Sequence, residues 1–465
     1  MFHISVDHES KKPMYLQIYE YIVNEIKQGQ LPCNSKLPSG RELAQDLNIS
    51  RNTVNMAYEQ LESEGYIEAQ PKRGYFVREM DGLLDLNTPL EVQISNTGGE
   101  TIKEYRVDFS PFGIDLRYAP NHRWQKLMKE TMLDTGADLF RNGDPQGDIG
   151  LRTAIRDYLH RSRGVNCREE QIIIGAGTDY LLMLLTRLLP KNTKVAMENP
   201  AYQQAYRVFH NFNYTIYPMP LDEEGMEIQP LKESDANLAF VTPSHQFPLG
   251  IVMPVNRRLQ LLNWAYEKED CYILEDDYDS EFRYQGKPIP ALQSLDTRGK
   301  VIYLGTLSKA ISPAIRMGYM VLPKSLYEVY QQQASFYATT VSRIDQEIVR
   351  RFFAEGYFER HLNRMRGIYR AKHDYLLSRL ATWKERVIIE GHSAGLHILL
   401  EFQDAMYSEA ELVERAEQAG IKVYPLSAYY ITGCSVYPTV LLGYANLTEE
   451  EMEDGLHLLE KMWEI

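Results

Sequence analysis

The sequence predicts a multidomain protein: a small N-terminal α+β domain, a linker, and a large α/β domain on a mostly parallel sheet. Three observations carry this. Within residues 1–80, three helix-spaced apolar patterns precede two short strand patterns around a basic turn. Residues 81–105 hold no sustained periodicity and read as a linker, long enough to span tens of ångströms as a coil. From Val107 to the C-terminus, apolar strand runs alternate with amphipathic helices, which places the large domain at residues 106–465.

The first helix is read from Leu16, Ile18, Tyr19, Ile22, Val23 and Ile26, with Gly29 stopping it. Ser39 is set to cap a second helix, and Glu42 three residues later completes a capping box. After the short turn at Asn48-Ile49, Ser50 caps a third helix. That helix carries Val54, Ala57, Tyr58 and Leu61 on one face, with Arg51, Asn52, Thr53 and Asn55 exposed near its start. Two short helices across a tight turn, with hydrogen-bonding residues opening the second, make a helix-turn-helix. The segments 65–69 and 75–77 read as strands, and Lys72 and Arg73 sit at the hairpin tip between them, as a wing.

Leu37-Pro38-Ser39, Arg41, Leu43-Ala44, Ile49-Ser50-Arg51, Thr53-Val54, Ala57-Tyr58, Glu64-Gly65-Tyr66 and Gly74-Tyr75 resemble the winged helix of GntR-type bacterial repressors over about 65 residues. The resemblance implies DNA binding. Arg41, Arg51, Lys72 and Arg73 would meet phosphates or the minor groove, and Asn52, Thr53 and Asn55 base edges. Residues 1–80 hold nine Lys/Arg against eleven Asp/Glu, a net of −2, so a winged helix used for protein contacts is the competing reading. The whole chain, at −14, is disfavoured for indiscriminate nucleic-acid binding, so any DNA contact must be a local patch. Four cysteines without metal-type spacing and no apolar run of membrane length point to a reducing cytoplasm, with no metal site.

In the large domain two stretches concentrate the chemistry. An apolar strand at Cys271–Leu274 ends in Glu275-Asp276-Asp277-Tyr278. A second, at Val301–Gly305, runs into Thr306-Leu307-Ser308-Lys309, with Arg316 seven residues on. A lysine, a carboxylate ending a buried strand, a tyrosine, hydroxyls and an arginine form the kit that holds pyridoxal 5'-phosphate. Gly175-Ala176-Gly177-Thr178 opens a helix after a strand, which is a phosphate seat, though many α/β turns share that pattern.

Asp144-Pro145-x-Gly147, Gly177-Thr178, Asn199-Pro200-x-Tyr202, the run Pro243–Pro248 with Gly250, Glu275–Phe282 and Ser308-Lys309 occur in the order of fold-type I pyridoxal-phosphate enzymes, the aspartate aminotransferase superfamily. With the N-terminal domain, the chain resembles MocR/GabR-type regulators. The resemblance implies that Lys309 forms the Schiff base. Asp276 would hold the pyridinium proton, with Asp277 the competing candidate and alternation placing the two on opposite faces. A carboxylate opposite a cation would stay ionised with a low pKa. Tyr278 would bond the phenolic oxygen and Tyr202 stack on the ring. Arg316, Ser308, Thr306 and the amides of Gly177 and Thr178 would hold the phosphate. Where aminotransferases carry an asparagine toward the phenolic oxygen, Phe247 stands here. Where arginines usually fix an amino-acid carboxylate, Gln203, Gln204 and Ala428 stand, with Arg207 one turn on.

Three readings follow. The first, preferred, is a transcriptional regulator that senses pyridoxal phosphate or a small amine or amino acid and controls vitamin B6 or amino-acid metabolism. It would act as a head-to-tail homodimer on promoter DNA, with no membrane association. The second is a working aminotransferase with a regulatory head; the missing arginines argue against efficient turnover. The third is a DNA-binding protein whose large domain has lost its cofactor.

Overall fold

The computed structural model describes residues 4, 6–7, 10, 12–79, 103–284, 289–391, 394–403 and 406–465. They divide into two compact units, one holding the described residues up to 79 and one those from 103. Of the linker expected at 81–105, residues 81–102 lie outside the described residues. Lys103 and Tyr105 belong to the large unit, where both bond the Glu417 carboxylate.

In the small unit, α1 (Met14–Lys27) buries Ile18, Ile22, Val23 and Ile26. Ser39 and Glu42 exchange hydrogen bonds with each other's backbone N–H at the start of α2 (Gly40–Asp46). Asn48 adopts a left-handed φ of 53°, and Ser50 then caps α3 (Arg51–Ser63) by accepting from the Thr53 N–H at 3.1 Å. Each such cap contributes about 1 kcal/mol. The antiparallel strands β1 (Ile67–Gln70) and β2 (Gly74–Val77) close the wing. Ile22, Val54, Tyr58 and Leu61 are fully buried at the centre. At about 1.5–3 kcal/mol per fully buried aliphatic side chain, this core outweighs the caps.

The large unit starts with β3 (Val107–Asp108). Its central sheet has seven strands: β4 (Ile172–Gly175), β5 (Lys194–Glu198), β6 (Thr215–Met219), and, after the small hairpin β7 (Leu221–Asp222) and β8 (Gly225–Met226), β9 (Leu238–Val241), β10 (Tyr272–Asp277), β11 (Val301–Thr306) and β12 (Gly318–Val321). The spatial order is β4-β12-β11-β10-β9-β5-β6. Only β12 runs antiparallel to its neighbours. Leu274, Ile302, Leu304 and Met320 pack against one helical layer, and Ile273, Val301, Ala239 and Val241 against another, so the strands read as near-continuous apolar runs.

A second sheet, β13 (Val387–Glu390), β14 (His397–Phe402), β16 (Tyr424–Pro425) and β17 (Thr439–Gly443), forms the C-terminal subdomain, and β15 (Ile421–Lys422) pairs in parallel with β3. Four strands of the central sheet deliver their C-terminal ends to one edge: β4 into 175–178, β9 into 242–250, β10 into 276–279 and β11 into 306–309. Ligands of open α/β sheets bind at that edge.

Candidate functional site

At the C-terminal edge of the central sheet lies a cavity of about 290 Å³ lined by Phe112, Thr178, Asp179, Tyr202, Gln204, Phe247, Asp276, Tyr278, Thr306, Ser308, Lys309, Pro313 and Arg316. The structure therefore brings together eight of the nine cofactor-binding residues read from the sequence. The ninth, Gly177, packs beneath Arg316. Its φ is +88°, and a β-carbon there would fall 2.9 Å from the arginine Nη2, so a residue without a side chain lets the guanidinium approach the helix start. Gly177 is the N-cap of α4 (Thr178–Leu188), which has no side-chain cap. Free N–H groups, the Arg316 guanidinium and the hydroxyls of Thr306 and Ser308 make this end of the cavity a seat for an anion. Arg316 itself is held in the left-handed region, φ 44°, and pairs with Asp179 at 3.2 Å.

Register separates the two adjacent aspartates. Asp277 lies opposite Gly305 on β11 and turns to the far face, where Arg163 meets it at 2.8 Å and the Tyr303 hydroxyl donates to it. Asp276 faces the cavity. It is 4% exposed, and its carboxyl has no hydrogen-bond partner among the described residues. Burial, with Asp277, Asp279 and Glu198 close by, pushes its pKa up to about 8, against the pull of Lys309. This corrects the expectation of a low pKa, which presumed a cation beside the carboxylate; the three acids around it act in the opposite direction. Glu198, buried at the end of β5, is pushed up to about 7 by burial, although Thr242 and Gln246 donate to one of its oxygens.

Lys309 is partly buried. Its Nζ donates to the Pro111 carbonyl at 3.3 Å and lies 4.9 Å from the Tyr278 ring centroid. Burial lowers its pKa, with Asp279 and Asp276 opposing. Phe247, in the place of the expected asparagine, has no polar atom to offer. Its ring meets Tyr202, Tyr278, Tyr429 and Phe112 at centroid distances of 5.2–6.0 Å, which makes one wall apolar. Gln203 donates to the Tyr429 carbonyl at 2.8 Å, and Gln204 lines the cavity. Arg207 and Ala428 are exposed and do not line it. Phe112 and Pro111 had no signal in the sequence. They reach the site because β3 pairs with β15, more than three hundred residues away.

In the small unit, Arg41, Arg51, Asn52, Lys72 and Arg73 are exposed. The Arg73 guanidinium lies 5.1 Å from the Phe76 ring centroid, and Lys72 takes a left-handed φ of 66° at the wing tip. Two residues differ from expectation. Thr53 is half-buried, with its hydroxyl 2.9 Å from the Ser50 cap oxygen. Asn55 is half-buried against Gly40, where a β-carbon would fall 2.7 Å from the Asn55 Oδ1. Packing within the helix-turn-helix therefore occupies two side chains read as exposed.

Residues 14–77 match the model of the bacterial regulatory proteins of the gntR family, and residues 115–459 that of aminotransferase class I and II. The chain is 40% identical to an uncharacterised HTH-type transcriptional regulator, YdeL, of Bacillus subtilis (strain 168), over 97% of each chain. The chain belongs to the gntR family, in the MocR-type branch with an aminotransferase domain. This MocR-type chain is also 33% identical to the probable rhizopine catabolism regulatory protein MocR of Rhizobium meliloti, over 98% of this chain and 94% of that one. It is 30% identical to the pyridoxine biosynthesis transcriptional regulator PdxR of Corynebacterium glutamicum, over 94% and 93%. Its large unit is similar to Pyrococcus horikoshii kynurenine aminotransferase, solved in complex with PMP, with a TM-score of 0.69 and 25% identity over 78% of this chain and 91% of that one. Aminotransferases of class I and II are pyridoxal-phosphate-dependent. Among the described residues of this MocR-type chain, no helix is long and apolar enough to cross a membrane.

Proposed function

We propose that this protein is a cytoplasmic transcriptional regulator that binds promoter DNA through its winged helix and pyridoxal phosphate in the cavity of its large unit. The observation that carries the cofactor assignment is Asp276: a buried carboxyl without a partner, aimed into a cavity that also holds a lysine amine. The cradle at Gly177 and Arg316 fits a phosphate, and the faces of Tyr202 and Phe247 fit a flat ring. When bound, pyridoxal phosphate supplies an aldehyde for a lysine amine and a protonated ring that withdraws electrons.

The chain's own residues prepare for it. Burial leaves more of Lys309 neutral, and hence nucleophilic, at neutral pH. Asp276 holds its proton up to about pH 8, and a cation opposite it favours the ionised form, which suits it to a protonated ring nitrogen. Arg316 exchanges Asp179 for a phosphate. Tyr278 offers a hydroxyl to a phenolic oxygen.

Once Arg316 serves the phosphate, no arginine among the described lining residues is left for a carboxylate. The regulatory ligand is therefore pyridoxal phosphate itself, or an amine that reacts with it, in preference to an amino acid held by paired arginines. The name of the relative PdxR agrees with a role in vitamin B6 supply. Lys309 and Asp276 also suit slow amine chemistry, so aminotransferase turnover is the second reading; steady keto-acid formation would establish it.

On the DNA side, Arg41, Arg51, Lys72 and Arg73 would meet the backbone and Asn52 a base edge, with Thr53 and Asn55 contributing after rotation out of their packed positions. A homodimer would supply two winged helices for two half-sites. Leu133, Phe140 and Phe336, exposed by 73%, 70% and 73%, are apolar surface of the kind that dimerisation covers. The test is retardation of DNA from upstream of the protein's own gene against unrelated DNA at one stated salt concentration. Specific retardation is expected; equal affinity for both would defeat the proposal.

A further inference from the structure

Behind the cavity wall, His245 occupies a position that the assigned site residues do not explain. It is 2% exposed and does not line the cavity. Its Nδ1 lies 2.8 Å from the Tyr278 hydroxyl oxygen and 3.0 and 3.3 Å from the two Asp279 oxygens. One imidazole nitrogen holds either a proton or a lone pair, never both. A lone pair would face the Asp279 carboxylate at 3.0 Å and repel it. Burial raises the Asp279 pKa, but His245 and Lys309 outweigh burial and hold it below the usual carboxylate range. Nδ1 therefore carries the proton and donates it, and the Tyr278 phenol cannot donate to that nitrogen.

The histidine ring is clamped in place. Gly395, with φ +79°, lies so close that a β-carbon there would fall 2.0 Å from the His245 Cε1. The Gly395 carbonyl in turn accepts from the Tyr284 and Tyr444 hydroxyls at 2.7 and 2.8 Å, so this backbone is itself pinned. On another side the His397 ring lies 5.6 Å away, centroid to centroid.

We infer that His245 is a positioning residue: by presenting an N–H to Asp279 and to the Tyr278 oxygen, it leaves the Tyr278 hydroxyl proton free to point into the cavity as a donor. This rests on the reading of the cavity as a pyridoxal-phosphate site, where the acceptor is the phenolic oxygen of the cofactor. It also accounts for a site with Phe247 in place of an asparagine: a histidine behind the cavity wall orients the Tyr278 donor. Asp279 is the other acceptor within reach of that hydroxyl, and the phenolate of a bound cofactor would compete with it. Asp276, Glu198, Glu281, Lys309, His397, Tyr284, Tyr444, Arg163 and Arg283 are other charged or titratable groups around this pair. None of them is changed by the substitutions below.

The test is the pH midpoint of the visible absorption band of bound pyridoxal phosphate, measured on the full chain. Without a donor from Tyr278 the phenolic oxygen is more basic, and the proton it shares is lost at higher pH. Tyr278→Phe is expected to raise the midpoint by about one pH unit, a tenfold change in that proton's equilibrium. His245→Leu frees the hydroxyl to turn to Asp279 and is expected to raise the midpoint equally, with the double variant adding nothing. His245→Asn places an amide N–H where Nδ1–H stood and should return the midpoint to the wild-type value. A wild-type midpoint in His245→Leu, or additive shifts in the double variant, overturns the inference. Should the leucine variant not fold, a shift in His245→Asn as large as that of Tyr278→Phe overturns it as well. Wild-type protein with no visible band at all would instead remove the cofactor reading, and this inference with it.

Discussion

Replacing Asp276 by asparagine should stabilise the cofactor-free protein and cripple its grip on pyridoxal phosphate. The folded carboxyl titrates at about 8, against a reference value of 3.8. Between those values the folded chain binds one proton more than the unfolded chain. Stability therefore falls as pH rises through that window and levels off above it. Near pH 7 the penalty has a ceiling of about 4 kcal/mol, at about 1.4 kcal/mol per pH unit. Water entry and relaxation around a site at a cavity wall reduce it to about 2 kcal/mol. Asparagine has nearly the same shape and no charge to bury, and Glu198 and Asp279 lie close enough to influence its amide. The expected gain corresponds to a melting temperature higher by roughly 3 °C for cofactor-free protein near pH 8, with the difference vanishing toward pH 4. The same substitution removes the anion opposite the ring nitrogen. A charge-assisted hydrogen bond contributes about 1.5–3 kcal/mol, so affinity for pyridoxal phosphate should fall by about tenfold to a hundredfold. Thermal melts of stripped protein across pH, with a visible-band titration of both proteins, measure the two effects. An asparagine variant that melts no higher than wild type near pH 8, or that binds the cofactor equally well, would refute the account of Asp276.

Lys309→Ala should abolish the visible band of lysine-linked cofactor while the far-ultraviolet circular dichroism stays unchanged; a wild-type band would exclude Lys309 as the linking amine. Gly177→Ala puts a β-carbon 2.9 Å from the Arg316 Nη2 at a φ of +88°, so pyridoxal phosphate should bind at least about tenfold more weakly, while pyridoxal without the phosphate is affected less. Equal losses for both ligands would take the phosphate away from this end of the cavity. Arg51→Ala should weaken DNA binding and lower the slope of log affinity against log salt by about one, as expected for one lost phosphate contact. An unchanged slope would remove Arg51 from the backbone contacts.

What was legible in the sequence was local. Ser39 with Glu42, Ser50 with Thr53, and Gly29 fix helix ends through bonds between residues a few positions apart, so the winged helix could be read directly. Asp276 and Lys309 stood out because an apolar strand ends abruptly in charge. What was not legible depends on distant chain. Phe112 and the Pro111 carbonyl reach the cavity through the β3–β15 pairing. The raised pKa of Asp276 needs Glu198 from β5 as well as its own neighbours. The antiparallel β12 is a four-residue apolar run that reads alike in either direction. His245 was visible only as part of a motif, because its role lies in one nitrogen shared between Tyr278 and Asp279.

Regulation by the bound ligand requires that the cavity and the winged helix be coupled, and coupling is reciprocal between two binding sites. The most direct measurement is the affinity for DNA upstream of the protein's own gene, with and without pyridoxal phosphate at one fixed salt concentration, on wild type and on Lys309→Ala. A change of about fivefold or more in wild type and none in Lys309→Ala is predicted, since allosteric couplings run at about 1–3 kcal/mol. Identical affinities for wild type with and without cofactor, in protein whose visible band proves the cofactor bound, would contradict the account.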